Sequence, residues 1–303
     1  MYLRRLGTVL AKATNAWIDD HAQSMGAALS YYTIFSLAPL LLIAISVAGL
    51  VFGRDAAQGA VVDQLQGLIG QGSAQAVQDL LRNVARPAQG IVATVTGVVV
   101  LVIGATSVFA ELQDDLNRIW QVPTRQKVSS GWAWLRTRLL SIGMILAMGF
   151  LLLVSLAASA AFDAFAAWST SALAGWEPLA HGVNFAVSFV LTTALFAMIY
   201  RFMPQATIEW RDVGIGALVT ACLFSIGKTL IGLYIGKSAL ASGFGAAGSL
   251  AVLLAWVYYS AQIFLFGAEF TWAYAHAFGS RQGTPAAQPG EADVTARPAV
   301  RFR

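Results

Sequence analysis

The stretch SLAVLLAWVYYSAQIFLFGAEFTWAYA, residues Ser249–Ala275, decides the fold class of this chain. It contains a single charged side chain, that of Glu269. A helix that crosses a membrane needs about 20 apolar residues, because each residue adds ~1.5 Å across a hydrocarbon layer of ~30 Å. The stretch is continuously apolar rather than alternating, which is typical of a spanning helix and not of a spanning strand.

Six such stretches predict an all-α, polytopic membrane protein with six transmembrane helices: Thr33–Phe52, Ile91–Ala110, Leu139–Phe162, Val183–Tyr200, Val213–Gly236 and Ser249–Ala275. Only two charged residues, Lys228 and Glu269, lie within them. The composition agrees, because the chain is 57% hydrophobic and 11% charged, whereas a soluble domain is about a quarter charged. A two-domain soluble protein is therefore excluded.

The Lys and Arg residues predict the orientation of the chain. If the N-terminus is cytoplasmic, fourteen of the 19 basic residues fall in inside segments and four in outside segments, while Lys228 lies within a span. Cytoplasmic loops of membrane proteins carry an excess of Lys and Arg. We therefore expect both termini to be cytoplasmic.

The chain divides into three parts. Residues 1–32 form a cytoplasmic or interfacial segment, in which Leu6, Leu10, Ala13 and Trp17 recur at helical spacing. This pattern predicts an amphipathic N-terminal helix that either lies on the lipid surface or packs against the protein. Residues 33–276 form the membrane domain. Residues 277–303 are rich in proline and small polar residues, which predicts a disordered cytoplasmic tail.

A long segment on the outer side, residues 54–86, contains two apolar stripes at helical spacing. Gly70–Ser73 lies between them, with Ser73 placed to cap the second helix. The segment therefore predicts a helical hairpin at the outer face. It serves either as a lid or partner surface, or as a cap packed over the span ends.

Several short motifs, taken together, resemble one family: AALSYYT (27–33) with Ser36 and Pro39, LNRIW (116–120), YRFMP (200–204), WRD (210–212) with Gly214, Lys228 with Tyr234, and LAWVYYS (254–260) through LFGAE (265–269). The chain resembles the YihY / virulence factor BrkB family of bacterial inner-membrane proteins over about residues 17–274. One position departs from the pattern, because Phe244 stands where the family usually has a tyrosine. The resemblance implies six helices in a bacterial cytoplasmic (inner) membrane, and suggests transport of a solute or ion.

The same family carries an old label, ribonuclease BN, which the sequence does not support. Metal-dependent RNA cleavage needs clustered His and Asp ligands, but His21, His181 and His276 lie in separate segments. We therefore expect no enzymatic activity, catalytic residue, metal, cofactor or nucleic-acid partner.

The two charges within the spans are the main functional candidates, because a charge in the bilayer core costs ~2.5–3.5 kcal/mol or more. Lys228 is predicted at the level of Gln262, either in a water-filled pathway or reaching the outer water layer. Glu269 is predicted near the inner face, either in an ion pair with Arg201 that holds helices together or in a coupling role. Further candidates for the pathway are Thr229, Ser225 and Pro39, which either breaks the first span or bends it.

Two functions remain open on the sequence alone. The first is a transporter or permeation pathway for a small solute or ion, with its site between the last three spans. The second is a membrane organiser that docks partners or handles lipid through the outer hairpin and the N-terminal helix. The expected partners are the lipid bilayer and a small solute or ion, and a homo-oligomer is compatible with either function.

Overall fold

The computed structural model describes residues 2–69, 74, 77–78, 81, 91–122, 143, 177–237 and 245–283. These residues are helical apart from short connections, and no strand occurs among them. The predicted third span, Leu139–Phe162, lies outside the described residues except for Gly143, and so do residues 284–303 of the predicted tail.

Seven helices have defined bounds: α1 Tyr2–Asp19, α2 Ala22–Phe52, α3 Arg54–Ile69, α4 Ile91–Ile119, α5 Glu177–Phe202, α6 Trp210–Lys237 and α7 Gly245–Ala277. Within the described residues, three stretches are long and apolar enough to cross a membrane: Phe185–Phe202, Trp210–Ile231 and Leu250–Ala277. They coincide with the last three predicted spans. Helix α4 continues to Ile119, beyond Ala110, where the predicted second span ends.

Small residues let α5, α6 and α7 approach one another closely. A Cβ atom added at Gly216 would lie 1.8 Å from Thr271 Oγ1, and one added at Gly267 would lie 2.6 Å from Tyr200 Oη. The Tyr200 hydroxyl donates to the Phe264 carbonyl at 2.7 Å, which joins α5 to α7. Membrane helices associate through such small residues, because lipid supplies no hydrophobic force between them.

The end of α4 is tied to the connection between α5 and α6. The Gln113 side chain donates to the Met203 carbonyl at 3.0 Å, and the Gln205 backbone N–H donates to Asn117 Oδ1 at 2.7 Å. Trp120, just after α4, is buried in one apolar cluster with Met203. The C-terminal end of α4 and the α5–α6 connection therefore lie at the same end of the bundle.

Helix α1 packs against the C-terminal part of α7. Its buried residues Val9 and Ala13 share a cluster with Phe270 and Ala273 of α7. Leu10, by contrast, is 41% exposed. Ala13 is buried and Trp17 partly buried, as the predicted stripe requires. Only Leu10 is wrong, because the face of α1 that α7 covers includes Val9 in its place.

A second apolar cluster lies at the opposite end. Buried Ala57 of α3 and the helical residues Val77 and Leu81 pack with Ile45 of α2 and Leu253 of α7. Part of the predicted outer segment, 54–86, therefore covers the ends of α2 and α7. The expected turn, Gly70–Ser73, lies outside the described residues.

Candidate functional site

Glu269 lies in the C-terminal half of α7 and is 1% exposed. Gln262 precedes it by seven residues, which places both side chains on the same face of the helix, about 10 Å apart along its axis. The Gln262 amide nitrogen makes long hydrogen bonds to the Ala22 and Gln23 carbonyls, at 3.4 and 3.5 Å. This face of α7 is therefore turned toward the start of α2.

Asp20 meets Glu269 at the corner between α1 and α2. The two carboxyl groups lie within hydrogen-bonding range of each other. The corner is made by Asp20 and His21, and His21 adopts a left-handed backbone conformation with φ 56°. This conformation is uncommon for residues other than glycine, and it ends α1 where Asp20 faces α7. We call Asp20, Gln262 and Glu269 the polar strip.

Two buried oxygens of the polar strip have no hydrogen-bond partner in the described structure, Glu269 Oε1 and Gln262 Oε1. A buried polar atom without a partner costs free energy, so each oxygen is suited to accept from water or to bind a cation. Burial raises the pKa of Asp20 above its ordinary value, and the hydrogen bond with Glu269 opposes that rise. Two carboxyl groups can share a hydrogen bond only if one of them carries a proton.

Gly26 makes room for this arrangement. A Cβ atom added at Gly26 would lie 2.1 Å from Gln262 Nε2. The glycine in the first turns of α2 thus allows the Gln262 side chain to cross to the corner.

The predicted ion pair between Glu269 and Arg201 is wrong for this structure, since the described residues contain no contact between them. The Arg201 guanidinium instead donates to the Ile208 carbonyl at 2.5 Å and lies 5.8 Å from the centre of the Trp210 ring. Both contacts are local to the α5–α6 connection. Glu269 faces the α1–α2 corner, which the sequence argument left out.

The structure does not bring Lys228 and Gln262 together. Lys228 is exposed on α6, and it directly follows Gly227, which is the residue that packs against Tyr259 and Ile263 of α7. Consecutive residues on a helix point about 100° apart. Lys228 is therefore turned away from the face of α7 that carries the polar strip.

The remaining predicted residues make local contacts. The exposed Thr229 hydroxyl donates to the Ser225 carbonyl at 3.2 Å, within its own helix. Helix α2 continues through Pro39 without interruption. Of the two alternatives for Pro39, the break is therefore absent from the helix, and the bend stays a prediction.

Two acidic residues were not predicted as site residues from the sequence. Asp20 follows Val9, Ala13 and Trp17 at helical spacing, so the covered face of α1 leads directly to it. Asp115 lies beyond the predicted span in α4, is 5% exposed and has an unpartnered Oδ2. Burial, and next the charges of Glu111 and Asp114, raise the pKa of Asp115 to about 7. In both cases the spacing of the neighbouring apolar residues indicates a buried position, but an acidic residue at that position is ordinarily expected to be exposed.

The long apolar helices define an integral membrane protein of the helical class. The model of the virulence factor BrkB family matches residues 13–291. The chain belongs to that family, as its motifs indicate.

Relatives of similar sequence carry the name UPF0761 membrane protein. The chain is 29% identical over 264 residues to the one from Verminephrobacter eiseniae, covering 83% of this chain and 58% of the relative. It is 28% identical over 255 residues to the one from Alcanivorax borkumensis, covering 83% and 56%. The chain thus spans less than three-fifths of the length of these relatives. No solved structure matches.

Proposed function

We propose that the protein is a six-span transporter of the bacterial inner membrane that moves a small solute or ion. Its coupling group is the carboxyl pair of Glu269 and Asp20. The observation that carries the proposal is the burial of Glu269 with one oxygen unpartnered. An ionisable group inside a span is kept at an energetic cost, and proton relays of pumps and transporters are built from such carboxyls. The proposal includes no enzymatic activity.

The coupling role follows from the chemistry of two neighbouring carboxyl groups. Like charges at short range disfavour double ionisation, so the pair holds one proton until that proton is replaced by a cation or released. Glu269 Oε1 and Gln262 Oε1 are free to accept the incoming cation or water. The proposed pathway therefore runs along the polar strip and leaves out Lys228.

The positions of the helix ends support six spans. The end of α4 and the α5–α6 connection lie at one end of the bundle, and α5 runs toward that end. This agrees with the proposal that the predicted span Leu139–Phe162 is one crossing between α4 and α5. The end of α7 also lies at this end, because Ser280 and Arg281 bond to Asp212 and Thr207. Helix α1, which leads into α2, packs on the C-terminal part of α7. The excess of Lys and Arg then favours the cytoplasm for this end and for both termini.

The test is reconstitution of the full chain in liposomes that contain a pH-sensitive dye. Gradients of sodium, potassium, chloride and small osmolytes are imposed in turn, with protein-free liposomes as the control. We expect at least one gradient to drive proton movement only when the protein is present. If every gradient gives the same trace with and without protein, the proposal is overturned.

The second function, a membrane organiser, is favoured by a different observation. Leu10 and Ile18 of α1 are 41% and 56% exposed, although the opposite face of α1 is packed on α7. An organiser predicts no gradient-driven flux. It also predicts that the double variant Leu10→Ser with Ile18→Ser changes the size of the complex extracted from native membranes, whereas a transporter working alone keeps its size.

A further inference from the structure

A cavity of about 670 Å³ lies at the end of the bundle where α5 joins α6, beside the residues that follow α7. Three of its lining residues are arginines, and we call it the arginine cavity: Arg201, Arg211 and Arg281, with Trp210, Thr207 and Ser280. The polar strip contributes no residue to it. Nothing in the proposed transport function assigns a role to this cavity.

The positive charge of the arginine cavity is not neutralised by ion pairs within the described residues. Arg281 donates to the Thr207 carbonyl at 3.3 Å and lies 5.1 Å from the centre of the Trp120 ring. Arg201 likewise binds a carbonyl and an aromatic ring, as described above. Arg211 is exposed and makes no hydrogen bond or ion pair in the described part of the chain. Glu209 is the only acidic residue in the lining.

The cavity wall is held in place by Asp212. Its carboxylate Oδ2 accepts hydrogen bonds from the Ser280 backbone N–H at 2.9 Å and from the Ser280 hydroxyl at 2.7 Å. This contact fixes the chain next to Arg281 against the first turn of α6. Because α6 begins at Trp210, the positive end of its dipole also points toward the cavity.

Exposed aromatic rings beside the cavity indicate its position relative to the lipid headgroups. Phe202 and Trp210 are 57% and 55% exposed, and their rings meet edge to face at 5.8 Å. Tryptophan rings, such as that of Trp210, collect at the level of lipid headgroups. Basic pockets between membrane helices on the cytoplasmic side bind anionic headgroups, and arginine binds phosphate with two parallel hydrogen bonds.

We propose that the arginine cavity binds a phosphate group, carried by an anionic phospholipid headgroup or present as free phosphate. Arg211 supplies the unpaired charge, while Arg201 and Arg281 are already oriented by their contacts with carbonyl groups and aromatic rings. The inference stands on the cavity and its charges, and it is independent of the transport proposal.

The test measures how ligands shift the melting temperature of the full chain purified in a neutral detergent. Phosphatidylglycerol, phosphatidylcholine and inorganic phosphate are titrated against wild type and three variants: Arg211→Gln, Arg281→Gln and Lys12→Gln. Lys12 is an exposed basic residue on α1, so the third variant removes the same charge outside the cavity. The readout is the ligand-dependent shift, which remains measurable if Arg281→Gln lowers the starting melting temperature.

We expect phosphatidylglycerol to raise the melting temperature of wild type and Lys12→Gln, and phosphatidylcholine to do so much less. Each cavity variant should bind roughly ten-fold more weakly, or worse, because it loses a charge-assisted hydrogen bond. If inorganic phosphate matches phosphatidylglycerol at equal free concentration, the ligand is free phosphate. Equal shifts from both lipids, or a wild-type response in both cavity variants, would overturn the proposal.

Discussion

The two charged residues of the predicted spans, Glu269 and Lys228, lie in opposite surroundings. Glu269 is buried at the α1–α2 corner beside a second carboxyl group. Lys228 is exposed on α6. The cost of a charge in the bilayer core gives the same expectation for both residues, but only the helix face decides which one is enclosed by protein. A long lysine side chain on an outer face can reach the water layer, whereas a buried carboxyl cannot.

The largest expected effect comes from disturbing the packing of α7 against α5 and α6, on the face of α7 that points away from Glu269. In Gly267→Leu, the new side chain would begin 2.6 Å from Tyr200 Oη and 2.0 Å from Thr220 Oγ1. Overpacking of this kind costs about 1–3 kcal/mol or more. We expect most of the folded protein to be lost, measured by size-exclusion chromatography in detergent. Gly214→Leu is the matched control, because nothing lies within 4 Å of its added Cβ.

A smaller loss is expected at the clamp between α6 and the end of α7. Asp212→Ala removes the acceptor of both Ser280 hydrogen bonds, which should cost about 1–3 kcal/mol because two partly buried hydrogen bonds to a carboxylate are lost. The melting temperature should fall accordingly. Glu209→Ala removes a carboxylate from an exposed neighbouring position, and an equal fall there would show that the clamp contributes nothing.

A further prediction concerns Asp115, a buried carboxyl group in α4, and asks whether the stability of the protein depends on its protonation. Its pKa is raised from 3.8 to about 7, so the folded protein binds a proton that the unfolded chain releases. This contribution to stability is fully present below about pH 4 and is lost as the pH rises through about 7. Asp115→Asn should flatten the pH dependence of the melting temperature over that range, by an amount worth roughly 1–3 kcal/mol. An unchanged profile would contradict the burial argument.

The smallest effect is expected for Lys228→Gln. An exposed side chain away from packed contacts usually changes stability by less than about 0.5 kcal/mol. The melting temperature should therefore match wild type. A fall as large as that of Asp212→Ala would place Lys228 in a buried contact and break the contrast with Glu269.

Much of the fold followed from the sequence, because apolar length alone defines a spanning helix. The predicted last span, Ser249–Ala275, lies inside α7 at Gly245–Ala277, and the predicted second span, Ile91–Ala110, lies inside α4 at Ile91–Ile119. Local periodicity could not give the partner of Glu269. That partner depends on the face of α1 that packs on α7, and on the left-handed turn at His21.

The partner of Glu269 was predicted wrongly because the prediction relied on opposite charge. Opposite charges at similar depth predicted Arg201 as the partner of Glu269, whereas the neighbouring group is another carboxyl, Asp20. When a carboxyl pair holds one proton, one group is neutral and the other is charged, so the two do not repel each other strongly. The sequence pattern does not show which groups are protonated. The functional roles of Lys228, Gln262 and Glu269 therefore stay predictions until transport is measured.

The most direct measurement compares proton movement in liposomes containing wild type, Glu269→Gln or Lys228→Gln, at matched protein insertion and under the gradient that drives wild type. Glutamine keeps the size of glutamate but cannot exchange a proton. We predict that Glu269→Gln loses gradient-driven proton movement and that Lys228→Gln retains it. Wild-type proton movement in Glu269→Gln would contradict the assignment of the buried carboxyl pair as the coupling group.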